Sequence, residues 1–273
     1  MFLQRVKEAV KRTPVWKLMR PRTFHVYGIG APKTGTVSLA RIFGNYRSRH
    51  EPAPDQFIDI LSSFKQGPEN TNRIALLKNR DQQWRLHCEV AWYLSHVVDE
   101  LLVAFPEAKF IVTVREPRSW LRSIIDQCIN AHRKILDDGS IRIRDYSFGT
   151  PPEKYPCGYP KEFEEYSLHT VDGYLKYWNF HYEKVLSAVL PGRRLLIQTK
   201  DLSHSIDHIA QFVGISSDSL VREASHRHRT SKKHNVTQKF SSAFLEAKIE
   251  EHCRDAISQL QEAGIDLHQQ IDR

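Results

Sequence analysis

The stretch Phe24-His25-Val26-Tyr27-Gly28-Ile29-Gly30-Ala31-Pro32-Lys33-Thr34-Gly35-Thr36-Val37-Ser38-Leu39-Ala40-Arg41-Ile42-Phe43 decides how this chain folds. Phe24, Val26 and Ile29 predict a strand, and Leu39, Ala40, Ile42 and Phe43 predict a helix behind it. Between the two lie glycines, the single lysine Lys33 and the hydroxyls of Thr34, Thr36 and Ser38. Such a strand-loop-helix builds a phosphate cradle: N–H groups at the helix start face the anion, and a lysine adds a point charge. The order of residues departs from the Walker A loop, whose lysine directly follows its last glycine. Here Lys33 comes two residues before Gly35.

Outward from this loop, strands and helices alternate. Strands are expected over 24–29, 45–49, 84–90, 109–114 and 194–199. Helices are expected over 35–44, 55–66, 93–104, 117–134, 163–190, 203–213 and 239–263. Pro117 suits the first turn of its helix, and Trp120, Leu121, Ile124, Ile125, Cys128 and Ile129 repeat at a helical period. Residues 136–162, rich in Gly, Pro, Tyr and alternating charge, read as an irregular insertion. The alternation predicts an α/β fold: one P-loop-like parallel β-sheet flanked by helices on both faces, in a single domain over 23–273. Ligands of such sheets collect beyond the carboxyl ends of the strands. Lys33 and Arg115 both follow strand ends, so the topology predicts that they meet at one edge.

The chain has 273 residues, with 40 Lys+Arg against 32 Asp+Glu and a formal charge of +8. A solvated basic surface or a polyanionic ligand explains that balance. No aromatic-basic repeat, zinc finger or RNP-like segment points to nucleic acid. Cys88, Cys128, Cys157 and Cys253 form no Cys-x-x-Cys pair, which favours reduced thiols and a cytoplasmic setting. The basic segment 1–22 lacks the apolar core of a signal peptide and is too polar to span a bilayer. It suits a surface helix or a peripheral contact with a membrane or protein. His226 and His228 have no ligand cluster around them, and no metal site is expected.

A second motif follows the fourth strand. Phe105-Pro106-Glu107-Ala108-Lys109-Phe110-Ile111-Val112-Thr113-Val114-Arg115-Glu116-Pro117 ends in an arginine fork, with Ser123 eight residues beyond it. An arginine with a nearby hydroxyl suits a phosphate monoester. Alone, Arg115 reads first as a strand-end cation paired with Glu116 or with a helix carboxylate.

Together, the Lys33 loop and the Arg115-Ser123 segment resemble the two nucleotide-binding motifs of sulfotransferases. These enzymes use 3′-phosphoadenosine 5′-phosphosulfate (PAPS) as donor. Leu195-Leu196-Ile197-Gln198-Thr199-Lys200-Asp201-Leu202 and Phe212-Val213-Gly214-Ile215 extend the resemblance, which covers roughly 24–235. It implies that Lys33, Thr34, Gly35, Thr36, Val37 and Ser38 hold the 5′-phosphosulfate, and that Arg115 and Ser123 hold the 3′-phosphate. A late basic run, Arg227 to His234, lies where the family often covers the 3′-phosphate, which adds Ser231, Lys232 and Lys233 as candidates. It reads equally as a solvated charge run.

Sulfuryl transfer needs an in-line acceptor and a stabilised leaving oxygen, as phosphoryl transfer does. Lys33 is the expected stabiliser, and protein cations stand where a kinase uses Mg²⁺. The family's general base is a His or a Glu whose position varies. Glu51, eighteen residues after Lys33, is the leading candidate, with His50, His87 and Glu89 as alternates. Aromatic residues of 136–182, among them Tyr146, Tyr155 and Tyr177, are expected to line an acceptor pocket or to pack the following helix. The acceptor is expected to offer a hydroxyl, leaning toward carbohydrate or glycolipid. Two other readings stand beside this one. A P-loop kinase or NTPase would share the cradle, but the lysine is misplaced and no apolar strand ends in a Walker B aspartate. A non-catalytic nucleotide-binding protein could keep the same fold.

Overall fold

The computed structural model describes residues 21–62, 71–131, 136–223 and 232–267. Five parallel strands form one sheet: β1 (Val26–Gly28), β2 (Ser48–His50), β3 (Cys88–Val90), β4 (Lys109–Val114) and β5 (Arg194–Gln198), in the spatial order β2-β3-β1-β4-β5. Val26 pairs with Cys88 on one side and Lys109 on the other; Gly28 pairs with Val90 and Ile111. β1 is therefore central, and all five strands end at one edge. Its three residues are buried, as are the last five of β4. Such near-continuous burial is what helices on both faces produce.

The helices are α1 (Thr36–Ile42), α2 (Pro54–Ser62), α3 (Thr71–Trp84), α4 (Val98–Ala104), α5 (Pro117–Asn130), α6 (Asp138–Phe148), α7 (Glu162–Glu165), α8 (Val171–Ala188), α9 (Ile206–Val213) and α10 (Ser242–Glu262). Alternate residues of the strands serve two cores. Phe110, Val112 and Val114 join Trp120, Trp178 and Tyr182 on one face. Ile111, Leu195 and Ile197 join Leu39, Phe43 and Ile209 on the other. The single α/β domain expected from the alternation is what forms.

Two segments differ from the sequence reading. Nothing in 71–84 pointed to a helix, yet α3 fills it. Its buried face is largely ionic: beside the buried Leu77, Arg73 pairs with Glu100 at 3.1 Å and Arg80 with Glu89 at 2.6 Å, so no continuous apolar stripe marks it. The segment 136–162, read as irregular, opens with α6. Asp137 caps that helix by accepting the Ser140 N–H at 2.8 Å, and the alternating Ile-Arg-Ile-Arg pattern hides the helical period. Boundaries shift as well. The expected strand 84–90 shortens to Cys88–Val90 because Trp84 still belongs to α3. The helix expected from 163 starts at Val171, where the Thr170 hydroxyl accepts the Gly173 N–H at 3.0 Å. Residues 1–20 of the basic N-terminal segment, and Arg227 to Ser231 of the late basic run, lie outside the described residues.

Candidate functional site

The loop between β1 and α1 turns sharply at the carboxyl edge of the sheet. Lys33 has φ 68° and Gly35 φ 95°, so a lysine occupies a left-handed conformation that non-glycine residues rarely adopt. Six described non-glycine residues have positive φ; Lys33, Glu51 and Ala53 all sit at this edge. Backbone strain of that kind clusters where function requires a fixed geometry. Gly30 makes the turn tight: a Cβ there would stand 1.8 Å from Thr113 Oγ1. The Thr34 side chain is fully buried and points into the protein, donating to the Ala31 carbonyl or bonding Thr113 Oγ1, each at 2.6 Å. Outside contacts clamp the loop. Trp120 Nε1 donates to the Pro32 carbonyl at 2.6 Å, and the Thr199 hydroxyl reaches the Thr34 carbonyl at 2.9 Å.

What the loop offers a ligand follows from how its helix starts. The cap position of α1 is Gly35, which has no side chain to accept, and the first turn holds no acid. The amides of Thr36, Val37 and Ser38 are thus left with their dipole facing outward. α5 begins at the same edge in the opposite manner: the Glu116 carboxylate accepts the N–H groups of Arg118 and Ser119 at 2.6 and 2.8 Å. Glu116 is therefore engaged as the cap of this helix. One helix start is neutralised by its own chain; the other stays open to an anion.

Arg115 is brought directly against the loop. Its Nη1 donates to the Lys33 carbonyl at 3.3 Å and its Nε to Ser119 Oγ at 3.0 Å. Ser119 and Ser123 stand one turn apart on α5, so Ser123 continues the line that Arg115 begins. The Arg115 main chain is fixed in turn by Trp178 Nε1, which donates to its carbonyl at 3.1 Å. Burial lowers the Lys33 pKa, and the neighbouring Arg115 charge lowers it further; Asp126 and Cys128 act the other way. Lys232 and Lys233 are exposed and adjoin the same helix: Asn130 Nδ2 donates to the Lys232 carbonyl at 2.8 Å, and Asp126 accepts the His234 N–H at 2.9 Å. Ser231 lies outside the described residues.

Across the edge, β2 delivers His50 and Glu51. His50 Nε2 lies 3.0 Å from Thr36 Oγ1 and 3.4 Å from Glu51 Oε1, a chain from the first residue of α1 to a carboxylate. Glu51 keeps 36 % of its side-chain surface open, yet protein surrounds it on most sides. That burial lifts its carboxyl from 4.5 to about 7, with the Arg144 charge opposing the rise. Burial, helped by Arg41, depresses His50 to about 4, so the imidazole is neutral near pH 7 and can relay but not supply a charge.

The alternates fall elsewhere. Glu89 is buried against Arg80, whose Nη2 also donates to the Pro52 carbonyl at 2.7 Å. Tyr93 donates to that same carbonyl at 3.2 Å. Glu89 therefore props the turn that carries Glu51 through Oε2, while its Oε1 is buried without a hydrogen-bond partner. His87 precedes β3 at the opposite, amino edge of the sheet, buried among Phe24 and Tyr46. Neither suits a base at the carboxyl edge.

Three features were not legible in the sequence motifs: the His50-Thr36 link, the Arg80-Glu89 prop and the approach of Arg144. The first two join residues 14 and 9 positions apart through the sheet, which no local pattern encodes. Among the described residues, Asp172, Glu251 and His252 are close enough to share a cation, but Lys248 already pairs with Asp172 at 2.6 Å.

With this geometry in place, comparison with known proteins is informative at one level. The family model described as a sulfotransferase domain matches residues 25–220. No curated protein matches the chain. Among solved structures, the sulfotransferase from Alicyclobacillus acidocaldarius is similar at 14 % identity and a TM-score of 0.47, over 86 % of this chain and 96 % of that one. The sulfotransferase domain from the Synechococcus PCC 7002 olefin synthase is similar at 13 % identity and a TM-score of 0.45, over 90 % and 96 %.

Proposed function

We propose, from the premise that this chain belongs to the sulfotransferase domain family, that it moves a sulfuryl group from PAPS to an acceptor hydroxyl and releases adenosine 3′,5′-bisphosphate. The observation that carries the reading is the contact between its two cationic motifs: Arg115 donates to the Lys33 carbonyl at 3.3 Å. One nucleotide phosphorylated at both 3′ and 5′ positions can then engage both.

In this reading the uncapped amides of Thr36, Val37 and Ser38, with Lys33, hold the 5′-phosphosulfate. Thr34 contributes shape rather than a hydroxyl, because its side chain is turned inward. Arg115 and Ser123 hold the 3′-phosphate, with Lys232, Lys233 and the Ser231 segment as further candidates. Glu51 accepts the acceptor's proton as the new S–O bond forms. The bond from sulfur to the 5′-phosphate oxygen breaks, and its electron pair leaves on that oxygen, where Lys33 opposes the charge. A carboxyl titrating at about 7 is well matched to that duty near neutral pH. The family resemblance implies no metal in the step. Among the strands beside β1, β3 offers only Glu89, which is committed to Arg80, and β4 ends without a carboxylate. That disfavours the Mg²⁺-dependent kinase alternative. The four cysteines are free thiols, which supports a cytoplasmic setting. Among the described residues no helix is long and apolar enough to cross a membrane.

The test is transfer from radiolabelled PAPS into small molecules, glycans and lipids of a cell extract, with the product identified by mass. Labelled product with wild-type protein and none with Lys33→Ala supports the reading. Turnover of ATP with Mg²⁺, and no sulfated product, refutes it.

A further inference from the structure

α6 is pinned at both ends against segments at the carboxyl edge of the sheet. Near its start, a Cβ on Gly139 would stand 2.1 Å from Asp55 Oδ1, so the helix lies directly against the start of α2, just beyond Glu51. At its end, Phe148 stacks on Trp92 with ring centroids 5.6 Å apart and planes at 10°. Ser147 Oγ also lies 2.8 Å from His96 Nε2. Both anchors belong to segments that leave the carboxyl edge of the sheet. Midway along the helix, the half-buried Arg144 reaches across to α5, where Nη1 meets Cys128 Sγ at 3.6 Å.

That contact satisfies little of the side chain. A guanidinium carries five donors, and a thiol is a weak acceptor. Among the described residues no carboxylate lies within ion-pair distance of Arg144. Its charge is nonetheless felt by Glu51 and by Asp137, the cap of its own helix, while Cys128, which it touches, is felt by Lys33. The guanidinium thus reaches α5, the helix that carries Ser119 and Ser123, from a helix that packs against the start of α2 just beyond Glu51. A half-buried cation with no ion-pair partner among the described residues carries a desolvation cost that a ligand anion would offset. The anions of the donor are already matched by Lys33 with the α1 amides and by Arg115 with Ser123, so the remaining anion belongs to the other substrate.

We infer that Arg144 reads an anionic group, carboxylate, phosphate or sulfate, carried by the acceptor beside the hydroxyl to be sulfated. The inference rests on the sulfotransferase reading of the site. The planar fork suits two-oxygen recognition of any of these groups, and the excess of Lys+Arg over Asp+Glu across the chain favours acidic partners.

The experiment titrates matched pairs into the full-length protein saturated with adenosine 3′,5′-bisphosphate: glucuronate against glucuronamide, glucose 6-phosphate against glucose, and 4-hydroxybenzoate against 4-hydroxybenzamide. In at least one pair the anionic member should bind roughly tenfold tighter or more, the range of a charge-assisted hydrogen bond. That preference should fall to about twofold or less in Arg144→Gln, while Arg144→Lys should retain part of it. Nucleotide affinity, measured first, shows that each variant is folded. Equal affinity within every pair, absence of binding by all six probes, or a preference that survives Arg144→Gln overturns the inference. Failure of the nucleotide itself to bind refutes the donor reading instead, and the pairs are then titrated into the ligand-free protein with the same criteria.

Discussion

Replacing Glu51 by glutamine should make the protein more stable and nearly inactive, in proportions the structure sets. The carboxyl rises from 4.5 to about 7 because burial disfavours its charged form. A shift of that size in a fully shielded group would be worth roughly 3 kcal/mol at 1.36 kcal/mol per pKa unit. Because 36 % of the side chain stays open, solvent screening reduces this to about 1–2 kcal/mol. Below pH 4.5 both folded and unfolded chains carry the proton and the group contributes nothing. As pH rises from 4.5 to 7 the folded protein holds a proton the unfolded chain has lost, so this group's contribution becomes steadily less favourable. Above 7 the full cost of the buried charge is present. Glu51→Gln removes it, so the variant should match wild type near pH 4.5 and exceed it by about 1–2 kcal/mol near pH 8. Loss of the base should lower kcat by about 10²- to 10⁴-fold, while wild-type kcat/KM should climb with pH through about 7. Denaturant unfolding at the two pH values, with turnover measured alongside, checks both halves. A variant that turns over normally, or whose stability difference is the same at both pH values, refutes the assignment.

Gly30→Ala should push Thr113 and the buried Thr34 apart, since the added Cβ would lie 1.8 Å from one hydroxyl and 2.6 Å from the other. A loss of about 2 kcal/mol or more is expected, together with weakened nucleotide binding; an unchanged melting temperature contradicts this. Glu89→Gln leaves the buried Arg80 without its ion partner and should cost about 3–5 kcal/mol in equilibrium unfolding. A change below about 1 kcal/mol would show that the pair does not brace the Glu51 turn. His25, His50, His87, His96 and His181 are all depressed by burial, to about 3, 4, 4, 3 and 3. The unfolded chain binds protons at these sites below about pH 6.5 while the folded protein stays neutral, so stability should fall as pH drops from 6.5 toward 4. Melting temperatures measured across that range check it; a flat profile sinks it.

The parts of the fold that sequence revealed are those whose residues bury apolar surface at a regular period. β4 is legible to its observed ends, Lys109 and Val114, because every one of its last five residues is buried between two cores. The Lys33 loop was readable because glycines and an open helix start leave a local signature. α3 escaped because two arginines flank the single leucine, Leu77, that is buried along it. Glu51 could be placed after a strand by counting from Lys33, but its elevated pKa depends on protein packed around it from elsewhere in the chain. Arg144 escaped for the same reason: its meaning comes from Cys128, sixteen residues earlier, and from the way α6 is anchored at the carboxyl edge of the sheet. Long-range contacts define the chemistry here, and one-dimensional patterns record only their local half.

If the proposed function holds, the Lys33 loop and the Arg115 motif grip one nucleotide between them. Calorimetric titration of adenosine 3′,5′-bisphosphate in the presence of a metal chelator tests it most directly. One saturable site is expected, weakened roughly 10- to 100-fold by Arg115→Ala and less by Lys33→Ala, whose larger effect falls on turnover. Tighter binding of ATP with Mg²⁺, or an Arg115→Ala protein that binds the bisphosphate as wild type does, would contradict it.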